Sequence, residues 1–175
     1  MPKAPKPPGQ TSIEESSGKQ LSLSLLNAFN TNDRINHYLI ANLPDAAWRA
    51  KALDGKGRTI AAIVAHMHNV RVMWLKAAKA EEIPPQLERT SVTPKQAFQA
   101  LEASRTALSV IISRISRALE TDGRVKGFRP DVAGFVAYLI AHDAHHRGQI
   151  TMLARQVGHP MPQRAIFGMW EWGSR

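Results

Sequence analysis

Ala141-His142-Asp143-Ala144-His145-His146-Arg147-Gly148-Gln149 is the stretch on which the reading of this chain turns. Three of the seven histidines fall in it. Around it, from just after Pro130 to Val157, the residues Val132, Phe135, Leu139, His142, His146, Gln149, Leu153 and Val157 recur at steps of three and four. That is helical period. Gly158 suits the position just past a helix end, and Pro160 prevents continuation. His142 and His146 therefore project from one face, one turn apart. Two imidazoles so placed can hold one divalent metal if a third ligand arrives from elsewhere.

Working outward, three more segments carry helical period and strand signals are nearly absent. The first runs from Leu21 to Leu43, with Leu25, Leu26, Phe29, Ile35, Leu39 and Ile40 apolar, and Pro44 stops it. The second runs from Thr59 to about Ala80, with Ile60, Ile63, Met67, Val70, Trp74 and Ala77 as its stripe. The third opens with Thr93 as cap, Pro94 in the first turn and Gln96 three residues after the cap. It carries Phe98, Leu101, Leu108, Ile111, Ile112, Ile115 and Leu119, and is expected to end near Asp122-Gly123. Four amphipathic helices predict an all-α protein, a four-helix bundle. The longer connections permit a topology other than simple up-and-down.

The expected organisation is a disordered tail over residues 1–18, rich in Pro, Lys, Ser and Gly, and one bundle over 19–175. The apolar ending Phe167-Gly168-Met169-Trp170-Glu171-Trp172 is expected to pack on the bundle or on a partner subunit. The chain has no cysteine. That excludes disulfides, cysteine-zinc sites, iron–sulfur clusters and a cysteine nucleophile. No apolar run approaches the roughly 20 residues that span a bilayer, and the N-terminus lacks a signal peptide's apolar region. A cytoplasmic protein is expected. The formal charge of +9 favours phosphate-bearing partners. The basic residues, Arg71 and Arg105 among them, are nevertheless scattered singly and read as a solvated surface. Nucleic acid is not an expected partner.

A candidate third ligand lies on the second helix. His66 stands three residues after Ile63 and four before Val70, on the apolar side, whereas His68 is about 200° further round and points away. Three neutral nitrogens leave a metal with an open position, as catalytic sites require. The doublet His142-Asp143 also occurs in HD-type phosphohydrolases, but no aspartate follows Gly148 to complete that site. His37 and His159 show no partner and are expected at the surface. Trp48, Trp74 and Met73 are expected in the core.

His66 followed eight residues later by Trp74, then His142-x-x-His145-His146-Arg147-Gly148-Gln149, resembles the DinB/YfiT-like family of metal-binding four-helix bundles. Met169-Trp170-Glu171-Trp172-Gly173 is similar to the ending of some members. The resemblance extends over roughly residues 21–175. It implies a metal site of His66, His142 and His146 with water completing the shell, and a homodimer. Members of known activity include transferases and isomerases that use low-molecular-weight thiols. Two neighbours are candidates for cofactor binding. Arg147 would meet an anionic substrate or thiol cofactor, and Gln149 would orient a ligand imidazole by a hydrogen bond.

Such a site has two chemistries open to it. Metal-bound water makes a hydrolase, and a bound thiol makes a transferase or isomerase. The absence of a His-Glu-x-x-His motif tilts the reading toward the thiol. Metal binding without catalysis, as in a stress-associated protein, is the third reading. Three imidazoles suit zinc, nickel, iron or copper alike.

Overall fold

The computed structural model describes residues 8–51, 55–117 and 123–175, with side chains from residue 18 onward. Its long helices are α1 (Pro8–Ala41), α2 (Ile60–Ala77), α3 (Pro94–Arg117) and α4 (Val132–Gln156), followed by a short α5 (Gln163–Gly168). Among the described residues the only extended pairing is an isolated bridge between Arg124 and Asp131. Among the described residues no helix is long and apolar enough to cross a membrane.

The helix ends follow local chemistry. The Thr59 side chain accepts from the Ala62 amide and the Asp131 side chain from the Gly134 amide. Thr93 and Gln96 form the reciprocal box expected from their spacing: the Gln96 amide donates to Thr93 Oγ1, and the Thr93 amide to Gln96 Oε1. Gly158 closes α4 with a φ of +82°, which a side-chain-bearing residue adopts only under strain. α1 differs from expectation by beginning at Pro8 rather than near Leu21. Proline costs little in a first turn, and Glu14, Glu15, Lys19 and Gln20 are good helix formers. The expected end of α3 near Asp122, and Leu119, lie outside the described residues. Deleting residues 1–18 should leave both melting temperature and metal content unchanged, because this polar stretch has little apolar surface to bury. A large loss of either in a thermal melt or elemental analysis would show that the segment docks.

Two apolar clusters set the direction of each helix. One contains Leu39, Ile60, Met67, Leu101, Ile150 and Leu153. The other contains Phe29, Leu75, Leu108, Ile112, Phe135 and Leu139. Going up the chain, α1 and α4 pass from the second cluster to the first, and α2 and α3 from the first to the second. α2 and α3 are thus parallel, and residues 78–93 must return along the bundle. That return is tied down throughout. Asn69 Nδ2 donates to the Leu87 carbonyl and the Leu87 amide to Asn69 Oδ1. Trp48 Nε1 donates to the Val92 carbonyl, and Arg49 donates to the carbonyls of Thr90, Ser91 and Val92.

Between the two clusters lies a buried polar layer: Asn32, Asp33 and Asn36 of α1, His68 and Arg71 of α2, Ser104 of α3, and Asp143 and His146 of α4. Arg71 corrects the expectation of a solvated basic surface. It is 1% exposed and is bound by two carboxylates, Asp33 Oδ1 at 2.6 Å and Asp143 Oδ2 at 2.8 Å. Met73, expected in the core, is exposed, because α2 turns Arg71 and Val72 inward at that level instead.

His37 is the second correction. It is buried rather than at the surface, with Nε2 3.1 Å from the Phe98 carbonyl and Nδ1 3.1 Å from both the Asp33 carbonyl and Asp33 Oδ2. Both ring nitrogens face oxygen acceptors, which favours the doubly protonated ring. Burial alone would lower its pKa. The hydrogen bond and charge of Asp33, the Phe98 carbonyl and Glu102 outweigh that and raise it. Arg34 and Arg105 border the same cavity. A raised folded-state pKa means stability that is fully present below the unfolded value near 6.5 and is lost as pH rises through the folded value. His66, His68 and His146 shift the other way, so the His37 contribution is read as a difference. In urea unfolding, wild type should exceed His37→Gln most at pH 6, and the gap should narrow toward pH 9. A gap that does not change with pH would exclude a charged His37.

The C-terminal segment touches the bundle through Gly168 and Arg175, but Phe167, Trp170 and Trp172, expected to pack, are exposed. Arg175 stacks 3.8 Å from the Tyr38 ring centroid and donates to the Gly168 carbonyl. Gly168 lies so close to Tyr38 that an added Cβ would collide with the phenol oxygen and stand 2.8 Å from Cζ. Gly168→Ala should therefore cost about 1–3 kcal/mol in a melt, and unchanged stability would mean that this docking is not maintained.

Candidate metal centre

α2 and α4 run antiparallel side by side, which brings His66 to the pair on α4. Ligand nitrogens of His66, His142 and His146 all lie within 4.8 Å of one another, so the three can hold one ion. Ring centroids are 5.3 Å apart for His66 and His142, 4.8 Å for His66 and His146, and 4.5 Å for His142 and His146. The Nε2 atoms of His142 and His146 face each other at 3.2 Å. Two nitrogens, each roughly 2.0–2.1 Å from one tetrahedral ion, stand about 3.3–3.4 Å apart. The α4 pair fits a shared ion with little adjustment.

Protonation also fits. Desolvation, reinforced by the charges of Arg58, His146, His142 and Arg89, holds the His66 pKa down at about 4. Desolvation also lowers that of His146, against the hydrogen bond that its Nδ1 donates to Gln149 Oε1. Neutral imidazoles are what a metal needs as ligands.

Gln149, expected on the inward stripe, is exposed, with Oε1 2.8 Å from His146 Nδ1. It accepts the Nδ1 proton and leaves Nε2 for an ion. Arg147 is turned elsewhere. Its Nη1 donates to Asn32 Oδ1 and Asn36 Oδ1, at 2.7 and 2.6 Å. It also borders a cavity of about 370 Å³ shared with Ile140, Thr151, Met169, Trp170 and Trp172. That cavity lies across α4 from the histidines. His145 is exposed and falls outside the ligand group. His68 points away from the site but not to solvent: it is wholly buried, with Nδ1 3.2 Å from Ser104 Oγ and Nε2 2.9 Å from the Pro85 carbonyl.

The sequence reading missed Asp143. The buried line of α4 keeps Val132, Phe135, Leu139, His146 and Leu153 of the expected stripe but takes Asp143 and Ile150 in place of His142 and Gln149. His142 is consequently only half-buried and Gln149 exposed, which leaves the site reachable from solvent. Asp143 is 2% exposed, and its Oδ2 receives Asn32 Nδ2, Asn36 Nδ2 and Arg71 Nη2. The sequence signal for this was faint: a carboxylate on the core side of α4 needs a buried cation, and Arg71 is the basic residue on the inner face of α2.

A second cluster, Asp33, His37 and Glu102, also brings metal-ligating groups together. It is a poor cation site. Arg105 already stands between its carboxylates, with Nη2 on Glu102 and Nε 3.6 Å from Asp33 Oδ2.

No curated protein and no solved structure matches the chain. The model of the DinB family matches residues 16–172. That span takes in α1 from residue 16 onward, the whole of α2 to α5 and the three converging histidines, and on it the chain belongs to the DinB family.

Proposed function

We propose that His66, His142 and His146 bind one divalent metal ion (zinc, nickel or iron), and that the protein uses it to activate a low-molecular-weight thiol for transfer to an electrophile. The observation that carries this reading is the convergence of three histidine nitrogens within 4.8 Å at a solvent-reachable edge of the bundle. When bound, the ion would supply Lewis acidity, lowering the pKa of a thiol or water at its open position. The chain's own residues do the rest. The three histidines present nitrogen, Gln149 keeps His146 in the tautomer that exposes Nε2, and the apolar cluster around Ile63 and Met67 limits water on the inner side.

Two features favour thiol activation over hydrolysis. The ligand group contains no carboxylate to serve as general base, and Asp143 is occupied by three donors. Arg58 and Arg89 place positive charge at the His66 side, which suits an anionic thiol such as one bearing carboxylates. A homodimer is part of the proposal and is tested by sedimentation.

The test begins with elemental analysis of protein purified without a nickel column. The metal-loaded protein is then assayed with a panel of thiols against alkyl halides, epoxides and maleyl compounds. Thiol-dependent product is expected. Thiol-independent hydrolysis of esters or amides would replace this reading with a hydrolase. Full metal occupancy with no turnover of either kind would leave a metal-binding protein without catalysis.

A further inference from the structure

Nothing in the three ligands explains how His142, only half-buried, is held with Nε2 toward its partners. His146 has Gln149 for this task. We propose that Asp143, clamped by Arg71, Asn32 and Asn36, is the positioning residue for His142, accepting its Nδ1 proton and so committing Nε2 to the metal. The inference rests on the three-histidine metal reading.

The division of labour between the two carboxylate oxygens carries it. Oδ2 takes all three fixed donors: Asn32 Nδ2 at 2.7 Å, Asn36 Nδ2 at 2.8 Å and Arg71 Nη2 at 2.8 Å. Oδ1 is left on the His142 side, 3.8 Å from Nδ1. That separation is longer than a hydrogen bond, and the positioning role requires it to shorten when the site is loaded, as such contacts commonly do. A metal-ligating imidazole usually donates its other N–H to a carboxylate or carbonyl. The carboxylate itself cannot swing away. Arg71 is braced on its far side by Asp33, and each asparagine is braced by Arg147 through its Oδ1. Each asparagine amide thus lies between an anion and a cation, in the orientation that both require. Donors from α1 and α2 immobilise a side chain on α4, one residue from a ligand.

Cobalt and zinc binding to the full chain separates this role from simple fold support. Asp143→Asn keeps the shape and removes the acceptor charge. The folded fraction, verified by circular dichroism, should bind zinc about 10–100-fold more weakly than wild type in chelator competition. It should also show altered visible bands with cobalt. A purely structural role predicts lower stability with unchanged affinity and unchanged bands. Should Asp143→Asn fail to fold, cadmium-loaded wild type carrying isotope-labelled histidine answers by NMR: His142 should couple to the metal through Nε2 and hold a slowly exchanging proton on Nδ1. Coupling through Nδ1, or a folded Asp143→Asn with wild-type affinity, overturns the positioning role alone. Wild type that binds neither zinc nor cobalt overturns the metal reading together with it.

Discussion

Replacing His66, His142 or His146 by alanine should remove the bound metal, whereas His145→Ala and His68→Ala should retain it. The loss at each ligand should exceed the roughly 10–100-fold expected for an outer hydrogen-bonding partner. The remaining pair has both fewer bonds and poorer geometry. His145→Ala is the informative control, because it is adjacent to a ligand yet exposed. His68→Ala is informative for a different reason. It should lower stability by about 1–3 kcal/mol, since Ser104 and the Pro85 carbonyl lose a buried partner, while leaving metal content intact. Elemental analysis after dialysis and a thermal melt read the two effects separately. Full occupancy in His142→Ala or His146→Ala, or loss confined to His145→Ala and His68→Ala, would mean that the ligand set is wrong.

The largest effect on stability is expected at Arg71. Arg71→Met removes the cation that Asp33 and Asp143 share, leaving Asp33 with His37 and Arg105 and Asp143 with its two asparagine donors. Breaking a buried pair by removing one partner costs about 3–5 kcal/mol. For a chain of this size that is a fall of roughly 6–20 °C in Tm. Asp33 and Asp143 are both held below the usual carboxylate range. For each, burial pushes the pKa up and is outweighed by opposing influences, Arg71 the foremost. Depressed carboxylates contribute stability that is present above pH 4 and is lost as pH falls through their folded values. These two carboxylates should therefore cost wild type nothing until about pH 4, the earlier decline below about pH 6.5 coming from the depressed His66, His68 and His146, whereas Arg71→Met should already be impaired at pH 7. Arg71→Met with Asp33→Asn and Asp143→Asn should recover part of the loss, because neither carboxylate is then left buried and charged. A single variant within a degree of wild type would show that the layer contributes little to folding.

The helices were legible in the sequence because their causes are local. Period, cap and stop residues act within a turn or two, so Thr93 with Gln96, Asp131 and Gly158 mark their helix ends without reference to the rest of the chain. The histidine site was legible for a related reason. His142 and His146 share a helix face by spacing alone, and His66 needed only the assumption that two apolar stripes meet. The start of α1 was not legible, since a polar stretch with good helix formers has no apolar period to announce it.

What the tertiary structure alone decided is the polar layer. Arg71 meets Asp33 and Asp143 from positions 38 and 72 residues away in sequence, and Asp143 meets Asn32 across 111. A charged residue read by itself is a solvated one, because burying it unpaired is prohibitive. Only when three helices bring the countercharges to one level does burial become tolerable. That pairing draws Asp143 rather than His142 into the buried line of α4. His142 is left half-buried at the edge of the bundle.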